Sequence, residues 1–139
     1  MRHLMPWSYF LLQNIKIIFS DALILLSTTH TIICENKDNN VVYNASSPDE
    51  LALVNFAKFC GYEYMGEDEE SRICVNIMHS LVYFKLLHVL EFNSTRKRNS
   101  VIIENENHEI VLYCKGADSI ILERLRDKKF FIFKLKKIS

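Results

Sequence analysis

Apolar residues fall along this chain in two periods, and the switch between them divides it into elements. Near the start Ile17, Ile18, Phe19, Ala22, Leu23, Leu25 and Leu26 recur at helical spacing, with Ser20 and Asp21 on the other side, which predicts an amphipathic helix from about Ile15 to Ser27. A second helical stretch over 51–60 carries Leu51, Val54, Phe56, Ala57, Phe59 and Cys60, and Gly61 suits the left-handed residue that ends such a helix. Its entry is spelled Ser46-Ser47-Pro48-Asp49-Glu50. Ser47 can cap, Pro48 fits the first helical position, and Glu50 falls where its carboxylate can return to the cap's backbone amide. Short β runs follow: Tyr62 with Tyr64, then 72–77 beyond the acidic turn Glu67 to Glu70, then 81–92, 100–104 and 110–115, with Asn105-Glu106-Asn107 as the last hairpin turn. Helical spacing returns at Ile120, Ile121, Leu122 and Leu125, so a closing helix is expected just past Gly116, with Asp118 in its first turn. Between the first two helices Val41-Val42-Tyr43 reads as a short strand, while 35–40 reads as a polar surface connection. The sum is an α+β fold, an antiparallel sheet flanked by helices.

At 139 residues the chain is one domain, long enough to bury a core. The 17 basic residues balance the 17 acidic ones, so no global charge draws it toward nucleic acid and any basic patch must be local. Cys34, Cys60, Cys74 and Cys114 are too scattered for a zinc spacing or a disulfide scaffold, and reduced thiols are the expectation. The apolar stretch 7–26 raises a membrane question. Gln13, Asn14, Lys16, Ser20 and Asp21 interrupt it, so it falls short of the roughly 18 uninterrupted apolar residues of a spanning helix, and a core helix is expected instead. A signal peptide fits no better, with a single early charge at Arg2 and Pro6 ahead of the apolar run.

Candidate chemistry gathers late in the chain. Phe92 closes the apolar run Leu86 to Leu90, where a strand leaves a core and a ring can lie on a flat ligand. Arg96-Lys97-Arg98 forms a cationic turn, and Lys115 ends the next strand beside Gly116, where a backbone can approach a phosphate closely. Each has a plainer explanation: core filler for Phe92, a solvated face for the cations, a helix cap for Glu50. His30 reads as structural.

Taken together, Ser46-Ser47-Pro48-Asp49-Glu50, Phe92 with its Arg96-Lys97-Arg98 turn, and Lys115-Gly116-Ala117-Asp118 resemble the nucleotide-binding domain of P-type ATPases, in particular the phospholipid-translocating flippase (type IV) subfamily. The resemblance spans about 17–126, leaving 1–16 and 127–139 as poorly matched ends, as if from an incompletely read gene. It implies that the chain docks ATP, with Mg2+, for phosphorylation of an aspartate elsewhere in the pump. Phe92 would stack on adenine, Glu50 would address its edge, Lys115 would lie near adenine and ribose, and Lys97 or Arg96 would reach phosphates. The family's Asp-Lys-Thr-Gly-Thr phosphorylation motif does not occur in these residues, so no catalytic residue is assigned and no hydrolysis by the chain alone is expected. The implied partners are the phosphorylation and membrane domains of the parent pump, with phospholipid met only through them and no nucleic acid. The implied place is the cytosolic side of an integral membrane protein, with no transmembrane helix in this chain. Two departures stand out: the family usually has methionine where Asn99 stands, which touches strand packing near the turn, and Thr95 replaces a residue that is often acidic.

Two other readings compete. A basic β-domain could engage RNA or an acidic membrane through Arg96, Lys97, Arg98, Lys115 and the C-terminal lysines. RNA-reading sheets carry exposed aromatics on adjacent strands, whereas Phe56, Phe59 and Phe84 here occupy core-like positions. The other reading is a nonfunctional fragment that does not fold.

Overall fold

The computed structural model describes residues 7–38 and 40–125, with side chains from residue 11 onward. The tail 127–139 and the first residues of the N-terminal segment lie outside the described residues.

Helix α1 (Trp7–Thr28) is longer than the expected one. Gln13, Asn14 and Lys16 break an apolar run but not a helix, since none costs much in a helix interior and neither Gly nor Pro occurs within the element. The segment Leu11–Thr28 is thereby long and apolar enough to cross a membrane by length and composition alone, contrary to expectation. Its last turns belong to the domain. Leu23 is buried, and the Ser27 hydroxyl donates to the Leu23 carbonyl at 2.8 Å and to the Tyr62 carbonyl at 3.2 Å.

Strands β1 (Ile33–Lys37) and β2 (Asn40–Asn44) pair as an antiparallel hairpin, so the expected polar connection is itself half a sheet. Helix α2 (Pro48–Phe59) begins as its sequence foretold: Ser47 Oγ accepts from the Glu50 amide at 3.3 Å and Pro48 opens the helix. Gly61 ends it with φ +87°, and a Cβ there would meet Met78 Sδ at 2.6 Å. The remaining strands, β3 (Tyr62–Glu67), β4 (Arg72–Ile77), β5 (Ser80–Leu90), β6 (Arg98–Glu104) and β7 (Ile110–Gly116), form one five-stranded antiparallel meander in chain order. Helix α3 (Asp118–Leu122) closes the described chain.

The sheet turns Tyr62, Tyr64, Ile73, Val75, Phe84, Val101, Ile103, Val111 and Tyr113 toward one core, which Leu23 of α1 and Val54 and Ala57 of α2 complete. Hydroxyls pin α1 across it: Tyr62 Oη lies 2.9 Å from Ser20 Oγ, and Tyr113 Oη donates to Asp21 Oδ1 at 3.2 Å. Two core assignments fail. Phe56 and Phe59 lie exposed on α2, the latter at 87%, while Phe84 is buried as expected. Neither exposed ring is on a strand, so they do not make a base-stacking sheet.

Candidate nucleotide site

The site is built at one end of the core face, where the α2 N-terminus, the β6 and β7 ends and the turn after α1 meet. Asn99 and Lys115 are direct cross-strand partners there, two residues beyond the Val101 and Tyr113 pair. Glu50, held in the first turn of α2, faces them. The Glu50 carboxylate does not return to its own helix cap, as the capping-box pattern suggested. Its Oε2 accepts from the Thr31 amide at 3.1 Å and the Thr31 hydroxyl at 2.7 Å, and its Oε1 accepts from Lys115 Nζ at 3.3 Å. One carboxylate therefore ties three segments together.

The electrostatics follow from that geometry. Burial works to raise the Glu50 pKa, but the two Thr31 hydrogen bonds and the Lys115 charge outweigh it and hold the carboxyl below its usual range. Burial lowers the Lys115 pKa, and Glu50 only partly opposes this. The two directions differ because Glu50 has three donors while the ammonium donates to one carboxylate.

Behind Thr31 stands His30. Its Nδ1 lies 3.1 Å from the Ile32 amide, which can only donate, so the neutral ring carries its proton on Nε2 and donates it to the Ser27 carbonyl at 3.0 Å. The ring meets Tyr64 edge-on at 4.4 Å. Burial drops its pKa to about 4, and the histidine is structural, fixing the exit from α1.

Glu50, Phe92 and Lys115 line one concavity of about 740 Å³, together with Thr31, Ser47, Asp49, Leu53, Glu91, Asn99, Gly116 and Ala117. That volume lies within the range of about 300–1,000 Å³ usual for small-molecule sites. Phe92 arrives differently from expectation. Strand β5 ends at Leu90, the run before it is largely exposed beyond a bulge at Leu87, and Phe92 stands at the rim with 62% of its surface open.

The cationic turn divides its labour. Asn93 Oδ1 accepts from the Thr95 and Arg96 amides, and Arg96 Nη1 donates to the Leu90 and Glu91 carbonyls, both at 2.8 Å. Arg96 is thus the turn's internal brace, not a free phosphate ligand, and Arg98 likewise donates to the Arg96 carbonyl at 3.1 Å. The same contacts weaken the RNA or membrane reading, which needed those guanidinium groups. Lys97 is exposed and outside the lining of the concavity; its carbonyl accepts from the Ala117 amide at 3.2 Å. Gly116 does permit a close backbone approach, but by the neighbouring strand: a Cβ there would lie 2.6 Å from both the Lys97 carbonyl oxygen and Arg98 Cβ.

Sequence reasoning missed Thr31 and Asn99 as wall residues. Asn99 is 7% exposed, and its Oδ1 is enclosed without a hydrogen-bond partner.

Residues 17–132 match the family model for the cytoplasmic N domain of P-type ATPases. The chain belongs to that family. Its N domain is similar to phospholipid-transporting ATPase IK of Mus musculus, 44% identical over 104 residues, which are 75% of this chain and 8% of that protein. It is also 44% identical to phospholipid-transporting ATPase ID of Homo sapiens over 102 residues, 73% of the chain and 8% of the relative. A third relative, phospholipid-transporting ATPase C887.12 of Schizosaccharomyces pombe, is 44% identical over 105 residues, 74% and 8% of the two chains. The N domain therefore spans about 8% of the length of the curated relatives it matches. Likeness to phospholipid-transporting ATPases and an antiparallel α+β fold agree with the resemblance carried by the Ser-Pro-Asp-Glu, Phe92 and Lys-Gly-Ala-Asp segments.

Proposed function

We propose that this N domain docks ATP for a phospholipid-translocating P-type ATPase, presenting the terminal phosphate to an aspartate in another domain of the pump. The observation that carries the reading is the convergence of Glu50, Phe92 and Lys115, far apart in sequence, on one concavity. The rim ring of Phe92 offers a face for a purine, Glu50 offers an acceptor for its amino edge, and Lys115 offers a desolvated cation beside base and ribose. A phosphate tail leaving over Ala117 passes the exposed Lys97. Mg2+ would come with the phosphates, and its protein ligands, like the phospholipid's contacts, would lie in the rest of the pump. On this reading the domain sits on the cytosolic side of the membrane, against the phosphorylation domain.

The isolated chain is expected to bind ATP with a dissociation constant between about 1 mM and about 50 μM, or about 4–6 kcal/mol, and to hydrolyse none. Titration followed by amide chemical shifts, repeated on Phe92→Ala, tests this. The exposed ring adds little to the core, so the variant should melt like the parent and bind ATP about tenfold more weakly. Unchanged affinity in Phe92→Ala, or magnesium-dependent turnover by the pure chain, overturns the proposal.

A further inference from the structure

We propose that the face of the β6 and β7 pair turned away from the core carries a second binding site, a recess that takes a small phosphate-bearing anion through Arg98 and Arg124 in the field of Arg96. The cavity there measures about 260 Å³, and its wall includes the three arginines with Leu90, Leu112 and Ile121. Alternation sets its side of the sheet. Val101 and Ile103 of β6 face the core, so Arg98 lies on the opposite face, as does Leu112 of β7 between the buried Val111 and Tyr113. The recess shares no lining residue with the concavity of Glu50 and Lys115, so the two sites stand or fall separately.

Positive charge is what this recess holds in excess. No carboxylate lines it. Among the described residues Arg96 and Arg98 have no ion pair, and Arg124 reaches only its sequence neighbour Glu123, at 3.7 Å and on a side chain 73% exposed. Arg96 is tied to the Leu90 and Glu91 carbonyls and to Ser100 Oγ, so it contributes a fixed charge. Donors remain on the other two. Among the described residues Arg98 makes one hydrogen bond, to the Arg96 carbonyl, and Arg124 one, to the Ile120 carbonyl at 2.7 Å, out of the five N–H groups a guanidinium carries. Neither is sealed off: Arg98 is half-buried and Arg124 exposed. Like charges gathered against apolar walls repel more strongly than in open water, and an anion between them removes that repulsion. A tetrahedral phosphate offers acceptors in several directions to donors from separate segments, whereas a planar carboxylate matches a single guanidinium fork. The volume lies below the range of about 300–1,000 Å³ usual for larger ligands, which suits a small anion.

The test titrates inorganic phosphate into the full chain, with ionic strength held constant by chloride, and follows amide chemical shifts and melting temperature. Phosphate should shift the amides of Arg98, Ser100, Cys114 and Arg124 saturably and leave those of Thr31 and Leu53, on the nucleotide concavity, in place. Melting temperature should rise with phosphate, because the ligand binds the folded chain alone. Arg98→Gln and Arg124→Gln should each weaken phosphate binding by about tenfold and lose that rise. Arg124 is exposed, so its variant should fold like the parent and carries the test should Arg98→Gln disturb the turn. Vesicles of phosphatidylcholine with phosphatidic acid then distinguish the sources: cosedimentation lost in Arg124→Gln puts the phosphate on a lipid headgroup, and no cosedimentation beside intact phosphate shifts puts it on a free one. Shifts that do not saturate, that fall only on the nucleotide concavity, or that persist unchanged in both variants overturn the inference. So does acetate acting as strongly as phosphate, which would make the recess a seat for a carboxylate.

Discussion

Strands β6 and β7 carry two regions on one face that differ in almost everything but geometry. In the first, Val101 opposes Tyr113 and Ile103 opposes Val111, all buried. In the second, Asn99 opposes Lys115, and the face carries an orphaned oxygen and an ion pair beside a concavity. The β6 and β7 register runs unbroken between them. What changes is the cover: the first lies within the core that α1 and α2 complete, while the second meets the start of α2, Thr31 in the turn after α1 and the loop bearing Phe92. The concavity opens where the cover of the core ends, and there polar side chains take the place of apolar ones on the same face.

The contrast can be broken most forcefully from the sealed end. Ile103 is 0% exposed, and Ile103→Ala should cost about 3 kcal/mol through lost burial and a cavity, measured by urea unfolding, with ATP affinity per folded molecule unchanged. A comparable loss should come from acid, through the histidine at the border of the two regions. Burial holds the His30 pKa at about 4 against an unfolded value of 6.5, so the unfolded chain binds the extra proton throughout that window. Stability should fall by about 3 kcal/mol between pH 6.5 and pH 4. His30→Gln should flatten that slope; a slope left unchanged in the variant would place the titrating group elsewhere.

At the open end the effects shrink and separate. Glu50→Ala removes the acceptor for Thr31 and Lys115 and should cost about 2 kcal/mol, whereas Glu50→Gln keeps an acceptor for Thr31 and should cost about 1 kcal/mol. Both should weaken ATP binding. If glutamine binds ATP like the parent and alanine loses only stability, Glu50 is a strut of the fold alone. Because its carboxyl is held below the usual range, the strut's contribution is present above an unfolded pKa near 4.5 and is lost as pH falls through the lower folded value. The smallest effect has the opposite sign: Asn99→Leu removes a buried unmet acceptor and should raise stability by up to about 1 kcal/mol, read as a higher melting temperature. A lower one would mean that the amide already serves the fold.

Legibility in the sequence followed the range of the interaction. The start and end of α2 were readable because Ser47, Pro48 and Gly61 act on their own turns, and the five-strand meander was readable because its strands alternate against one core. Strand β1 was not, since Glu35, Asn36 and Lys37 lie on a two-stranded hairpin with both faces largely in water, where no alternation is imposed. Periodicity grouped Phe56 and Phe59 with Val54 and Ala57, but it cannot say how wide a stripe the sheet will cover. Resemblance singled out Glu50, Phe92 and Lys115, and the fold brings those three to one concavity. It gave Thr31 no role and read Asn99 as a departure that touches strand packing, because what each residue ends up opposite is a relation no local pattern encodes. Arg96 was misjudged for the same reason: a guanidinium folded back onto the Leu90 and Glu91 carbonyls has the same sequence as one pointing at a phosphate.

Glu50 and Lys115 already hold each other at 3.3 Å across the concavity, so an arriving base meets a satisfied pair rather than two bare charges. The consequence is one of time. With a dissociation constant on the order of 1 mM and an association rate on the order of 10⁷ M⁻¹ s⁻¹, a nucleotide stays for about 0.1 ms before leaving. If the domain docks ATP as proposed, it would trade its occupant thousands of times each second, and its occupancy would follow the surrounding nucleotide pool with no lag that a slower conformational cycle could sense.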